Sequence, residues 1–331
     1  MKTRITPRAG ALSWVALYAA IALPVAAFAV DVRTYPDRPI RLIDPYAPGG
    51  GSGVVARFIS QKMSEAWGRQ IVIDNRPGAA GAIGTEIAAR AAPDGYTLLM
   101  GTSGSIGISP NMNKLSYDPV KDLFAISQTS SQVMLVVVHP SLPINSVKEL
   151  IAYAKAQPGK LAYASSGTGG SGHLAGELFQ SIAKTDMIHV PYKGNGAAVV
   201  AQVSGEVQLG FNNILSVFPH VSSGKLKAIG VTSARRAPAV PTVPTLAESG
   251  VAGYEAVSWN GIFAPAQTPR PIIDKIHGEV VKALAAPEVR DKLMAMGSDP
   301  VSSTPEAFLV FIKVELARWG KVVRENKIRT E

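Results

Sequence analysis

Four glycine-rich loops hold the residues best suited to chemistry. They read Pro48-Gly49-Gly50-Gly51-Ser52-Gly53, Gly78-Ala79-Ala80-Gly81-Ala82-Ile83-Gly84, Ser165-Ser166-Gly167-Thr168-Gly169-Gly170-Ser171-Gly172 and Gly194-Asn195-Gly196. Glycine lets backbone approach a ligand closely, and a helix start offers free N–H donors and the positive end of its dipole. The hydroxyls of Ser52, Thr102, Ser103, Ser166, Thr168 and Ser171 add further donors. The chemistry implied is capture of an anion without arginine. One such loop would be only a tight turn; four, split between two candidate lobes, point to binding.

Other chemistries fit less well. Gly167 to Gly172 satisfies G-x-G-x-x-G after a predicted strand, and Asp186 lies downstream at nearly the spacing of a ribose-binding acid. A dinucleotide fold needs that acid at the carboxyl end of its second strand, whereas Asp186 precedes the strand Met187 to Pro191. Gly101-Thr102-Ser103-Gly104-Ser105 lacks the last glycine of a nucleophile elbow. Histidines at 139, 173, 189, 220 and 277 show no metal-ligand spacing, and the loops carry no paired carboxylates. No catalytic residue, metal or cofactor is therefore assigned. His173 opens a helix beside the serine-rich loop, where it either donates to a ligand or caps the helix. An exported hydrolase-like enzyme using His173 with Ser166 or Ser171 is the competing function.

The elements that position these loops follow from hydrophobic period. Strands are expected at Ile40–Asp44, Gln70–Asn75, Tyr96–Met100, Val133–Val138, Leu161–Ser165, Met187–Pro191, Val207–Phe211, Leu226–Thr232 and Ala256–Ala264. Helices are expected at Val54–Trp67, from the second glycine loop to Ala91, from Val147, from Gly172, and at Pro271–Ala285, Pro287–Met296 and Pro305–Glu325. Ser146 with Glu149, and Thr245 with Glu248, have capping-box spacing. Phe308, Ile312, Leu316, Trp319 and Val323 share one face of the last helix. Alternating strands and helices predict an α/β chain of parallel βαβ units, too many for one comfortable sheet and so divided into two lobes.

Composition bounds the compartment. Lys2, Arg4 and Arg8 precede an apolar stretch from Ala11 to about Ala26, closing on Ala27-Phe28-Ala29. That pattern reads as a leader over residues 1–29, cut before Val30, in preference to a membrane anchor, because Pro24 interrupts the stretch. The chain of 331 residues has no cysteine, so the exported protein must stand on its core without disulfides. Its charge is +9, of which the leader holds three basic residues and no acid. The remainder is scattered and not interleaved with aromatics, which argues against nucleic acid and agrees with anionic ligands.

In order along the chain stand Tyr35-Pro36-Asp37-Arg38-Pro39-Ile40, Ala47-Pro48-Gly49-Gly50-Gly51, Asn75-Arg76-Pro77-Gly78-Ala79-Ala80-Gly81, Pro93-Asp94-Gly95-Tyr96-Thr97-Leu98-Leu99, Val190-Pro191-Tyr192-Lys193-Gly194, Val243-Pro244-Thr245-Leu246-Ala247-Glu248-Ser249-Gly250 and Trp259-Asn260-Gly261. This ordered set resembles the Bug family, the periplasmic solute receptors of tripartite tricarboxylate transporters. The resemblance implies a type II periplasmic-binding-protein fold: two α/β lobes, 30–131 plus 255–331 and 132–254, joined by two crossover strands and closing on a ligand. It implies a monomer that hands a small carboxylate to membrane permease subunits or to a sensor. Carried over by position, Tyr46, Ala47, Gly50, Gly51, Ser52, Ala79, Ala80, Gly81, Thr102, Ser103, Ser166, Gly167, Thr168 and His173 bind ligand, with Gly169 and Asn195 added from the glycine loops. Two departures from the family pattern, Ser52-Gly53 and Asn212-Asn213, replace positions that are commonly acidic. Asn212 and Asn213 join the candidate set. The loss of negative groups favours an acid without an amine, a di- or tricarboxylate or an aromatic acid.

Overall fold

The structure is a computed structural model that describes residues 32–326 and 328, with Met1 and Thr3. The expected leader core and cleavage point lie outside the described residues. Among those described, no helix is long and apolar enough to cross a membrane.

The first run of elements is β1 (Ile40–Asp44), α1 (Gly51–Trp67), β2 (Ile71–Asn75), α2 (Ala82–Ala89), β3 (Thr97–Thr102), α3 (Ser109–Met112) and β4 (Leu123–Val138). The second is α4 (Val147–Ala156), β5 (Ala162–Ser165), α5 (Ser171–Ala183), β6 (Ile188–Pro191), α6 (Asn195–Val203), β7 (Leu209–Asn213), α7 (Ile214–Ser222) and β8 (Lys227–Val231). The chain ends with β9 (Val257–Pro265), α8 (Arg270–Ala285), α9 (Pro287–Ala295), β10 (Ser298–Pro300) and α10 (Pro305–Glu325).

Strands run in the order β2-β1-β3-β9-β4-β7-β5-β6, with β8 and β10 also pairing with β4. The expected parallel pairs form between β1 and β2, β1 and β3, β5 and β6, and β5 and β7. β9 and β4 run antiparallel to their neighbours. β4 serves two groups of strands: Leu123 to Val133 pairs with β9, and Met134 to Val138 pairs with β7 and β8. α10 likewise spans two cores. Phe308 and Ile312 pack with Ile43, Leu99 and Phe263, whereas Trp319 and Val323 pack with Val136, Phe179 and Phe211.

Two differences from the sequence reading have physical causes. β4 begins ten residues before its apolar run, through Ser127-Gln128-Thr129-Ser130-Ser131-Gln132. These residues are mostly buried, and several are satisfied internally: Gln132 donates to Ser130 Oγ at 2.8 Å, and Asn260 donates to the same oxygen at 3.1 Å. Two bulges in this stretch also break the alternation that would mark a strand. Thr245 and Glu248 exchange their two capping hydrogen bonds, yet they close a turn over residues 246–250 and not a helix.

Candidate functional site

Helix starts show how the site is built. α4 and α10 begin on Ser146 and Thr304, whose side chains accept the Glu149 and Ala307 amides. α1, α5 and α6 begin on Gly50, Gly170 and Gly194, with no side-chain cap. α2, α3, α8 and α9 also start without a side-chain cap; the first amides of such a helix are open to water or a ligand. The starts of α1, α5 and α6 meet at one cavity of about 40 Å³. Its walls are Tyr46, Gly50, Gly51, Ser52, Thr102, Ser166, Ser171, Asn195, Phe211, Asn213, Ser258 and Asn260. None of them carries a charge at neutral pH, and most present hydroxyl or amide groups. The Asn195 Nδ2 donor is buried without a partner.

A second cavity, of about 330 Å³, shares Tyr46 and Ser166 with the first. It is lined by Gly78 to Gly81, Asn113, Gly167, Thr168, Pro191, Tyr192 and Lys193. Its Gly78–Gly81 wall is a short tight turn in which Ala79 and Ala80 hold φ of 46° and 51°. That left-handed conformation is unfavourable for a residue with a side chain. The Tyr46 hydroxyl anchors the turn by donating to Ala80 O at 3.0 Å, and it also contacts Thr102 Oγ1 at 3.2 Å.

Loops from the two strand groups touch backbone to backbone through glycine. A Cβ on Gly196 would lie 2.4 Å from Pro48 O, one on Gly194 3.1 Å from Ala47 N, and one on Gly167 3.5 Å from Ala80 N. Close approach requires glycine at Gly196, whereas Gly194 and Gly167 hold φ of 121° and 124°, which a side chain would strain.

Of the residues expected from sequence, Tyr46, Gly50, Gly51, Ser52, Thr102, Ser166, Asn195 and Asn213 line the first cavity, and Ala79, Ala80, Gly81, Gly167 and Thr168 line the second. Ala47, Ser103, Gly169, His173 and Asn212 line neither. Ser103 contacts the Ser258 hydroxyl at 3.1 Å, and Asn212 donates to Gln202 Oε1 at 2.7 Å. His173 is 4 % exposed, its Nδ1 accepts the Gly169 amide at 3.1 Å, and its ring stacks on His189 at 4.0 Å. Burial, with a smaller contribution from His189, pulls His173 down to about 3, and burial pulls His189 down to about 4. His189 Nε2 meets Ser165 Oγ at 2.6 Å. Near the serine-rich loop it is thus His189 that pairs with a serine, Ser165, and neither lines either cavity. Asp186, the candidate ribose acid, stands before β6, at the opposite end from these loops. Among the described residues no cluster has the makeup of a metal site.

Sequence reasoning missed Phe211, Ser258, Asn260, Asn113, Tyr192 and Lys193 as lining residues. Asn260, Tyr192 and Lys193 sit inside family motifs, which is the available signal. It also missed Asp44. Asp44 is fully buried directly behind Ser52, whose hydroxyl donates to its Oδ1 at 2.9 Å; it does not itself line the first cavity.

Comparison with known proteins gives concordant matches. The family described as "Tripartite tricarboxylate transporter family receptor" matches residues 55–328. Protein BugT of Bordetella pertussis is 38 % identical over 311 residues, spanning 93 % of this chain and 94 % of that protein. The solved structure of a periplasmic transporter superposes with a TM-score of 0.87 at 39 % identity, covering 89 % of this chain and 99 % of the other. Rpa4515 of R. palustris with adipate superposes with a TM-score of 0.87 at 34 % identity, covering 89 % of this chain and 99 % of the other.

Proposed function

The chain belongs to the tripartite tricarboxylate transporter receptor family, and from that premise we propose that it captures a small carboxylate in the periplasm by closing two lobes over it. One lobe comprises 30–131 with 255–331 and the other 132–254. β4 and the chain entering β9 serve as the crossovers. The observation that carries the reading is the meeting of three uncapped helix starts at a cavity without charged walls. Amide and hydroxyl donors at helix N-termini suit a carboxylate.

The cargo is a di- or tricarboxylate or an aromatic acid. No lining residue of the first cavity offers a carboxylate to pair an ammonium, which disfavours amino acids; the adipate-bound relative is consistent with a dicarboxylate. Ligand that bridges loops of both lobes stabilises the closed form by its differential affinity for that form. The closed monomer is then recognised by permease subunits or by a sensor. A receptor role is favoured over the hydrolase-like alternative, since the His173 Nδ1 accepts the Gly169 amide. The leader delivers the chain across the inner membrane.

A thermal-shift screen against mono-, di-, tricarboxylic and aromatic acids, with aspartate and glutamate included, tests this. An acid at about 100 times its Kd should add about 2.7 kcal/mol of stability. Silence across all classes contradicts the carboxylate reading, and tight binding of the amino acids alone contradicts the preference for amine-free acids.

A further inference from the structure

Asp44 is the acid that the pocket does not need for a carboxylate and yet keeps beside it. It ends β1, is fully buried, and receives three donors: Ser52 Oγ at 2.9 Å, the Tyr46 amide at 3.3 Å and Asn75 Nδ2 at 3.4 Å. Ser52 and Tyr46 are themselves walls of the first cavity. A serine hydroxyl has one hydrogen. While Asp44 is ionised, Ser52 spends that hydrogen on Asp44 and turns only lone pairs towards the cavity, where a carboxylate would meet repulsion. Once Asp44 is protonated, its own O–H donates to Ser52 Oγ, and the serine hydrogen becomes free for the ligand. We propose that Asp44 acts through Ser52 as a proton-controlled positioning residue, so that capture of a carboxylate takes up one proton from solvent. The proposal rests on the carboxylate reading above.

The surroundings leave Asp44 as the group that titrates. Burial raises its carboxyl to about 6, against the opposing pulls of Ser52, the Tyr46 amide, Arg57 and Asn75. Arg57, on α1, is the charge that faces it. From β2 comes neutral Asn75, while the adjacent Asp74 is paired with Arg41 and Arg76. Tyr46 stays neutral, its phenol pushed up to about 12 by burial. An anion in the cavity raises the Asp44 value further, which is the same coupling seen from the other side.

The test is calorimetry with acetate, succinate, glutarate, citrate and benzoate between about pH 5 and 8, on the native protein, Asp44→Asn and Ser52→Ala. In the native protein affinity should fall about tenfold per pH unit above about 6. Buffers of different ionisation enthalpy should report uptake approaching one proton. Asp44→Asn, which cannot ionise, should lose the pH dependence and show only the ligand's own titration. Ser52→Ala should bind more weakly at low pH with a flattened profile, and it carries the test if Asp44→Asn fails to fold. Native affinity that follows the ligand's own titration alone overturns the proposal and leaves the carboxylate reading standing. If none of the acids binds at any pH, the carboxylate reading and the proposal fall together.

Discussion

His173 and His189 stack at 4.0 Å in surroundings that do not accommodate a charge. Their depressed values mean that the folded state binds protons more weakly than the unfolded chain, where histidine titrates near 6.5. The stability they contribute is therefore complete above about 6.5 and lost as pH falls, towards about 4 for His189 and about 3 for His173. Asp44 works in the opposite sense. Its value is raised to about 6, so its contribution is complete below about 4 and lost as pH rises through 6. Chemical denaturation of Asp44→Asn across this range should show the variant gaining on the native protein as pH rises; a constant difference would contradict this. His173→Phe keeps a ring against His189 but leaves the Gly169 amide without its acceptor. A stability loss of about 1–3 kcal/mol is expected by denaturant titration. No loss would mean that the amide finds another partner.

At the scale of elements, the glycine loops fix what the site can be. The glycine-rich loops were legible because turns between strand and helix periods have a strong local signature, though α1 starts at Gly51, three residues before the expected Val54, and no range was expected for α6. Asp44 was not legible: its partner Ser52 lies eight residues away across a loop, and only the loop path brings them to 2.9 Å. The Ser130 network was hidden for a related reason, since Gln132 is near in sequence but Asn260 comes from β9. The role of His173 stayed open because spacing alone cannot tell an acceptor for a backbone amide from a ligand donor. Gly196→Ala tests the close approach of α6 to the first loop. Its Cβ would fall 2.4 Å from Pro48 O, a contact between elements of the two strand groups. Carboxylate affinity, read by calorimetry, should fall by about tenfold or more through loss of the closed form, a penalty of about 1.4 kcal/mol or greater. Thermal stability without ligand should change little. Unchanged affinity would show that closure does not bring these backbones together.

At the scale of the molecule, β4 and α10 each take part in two packed cores, so the strand groups are linked by rigid elements and not by a floppy tether. The parallel units and the buried face of α10 were readable from period; the antiparallel placement of β9 beside β4 depends on pairings between residues more than a hundred positions apart. The first cavity, at about 40 Å³, holds only a few waters. Under the proposed closure, a carboxylate of several carbons enters while the loops stand apart and then completes the walls. The most direct measurement is a crystal structure of the protein with the acid that stabilises it most. The account predicts a carboxylate within hydrogen-bond reach of the α1, α5 and α6 starts, with Ser52 donating to it. An acid bound elsewhere, or these helix starts facing a cationic group, would contradict it.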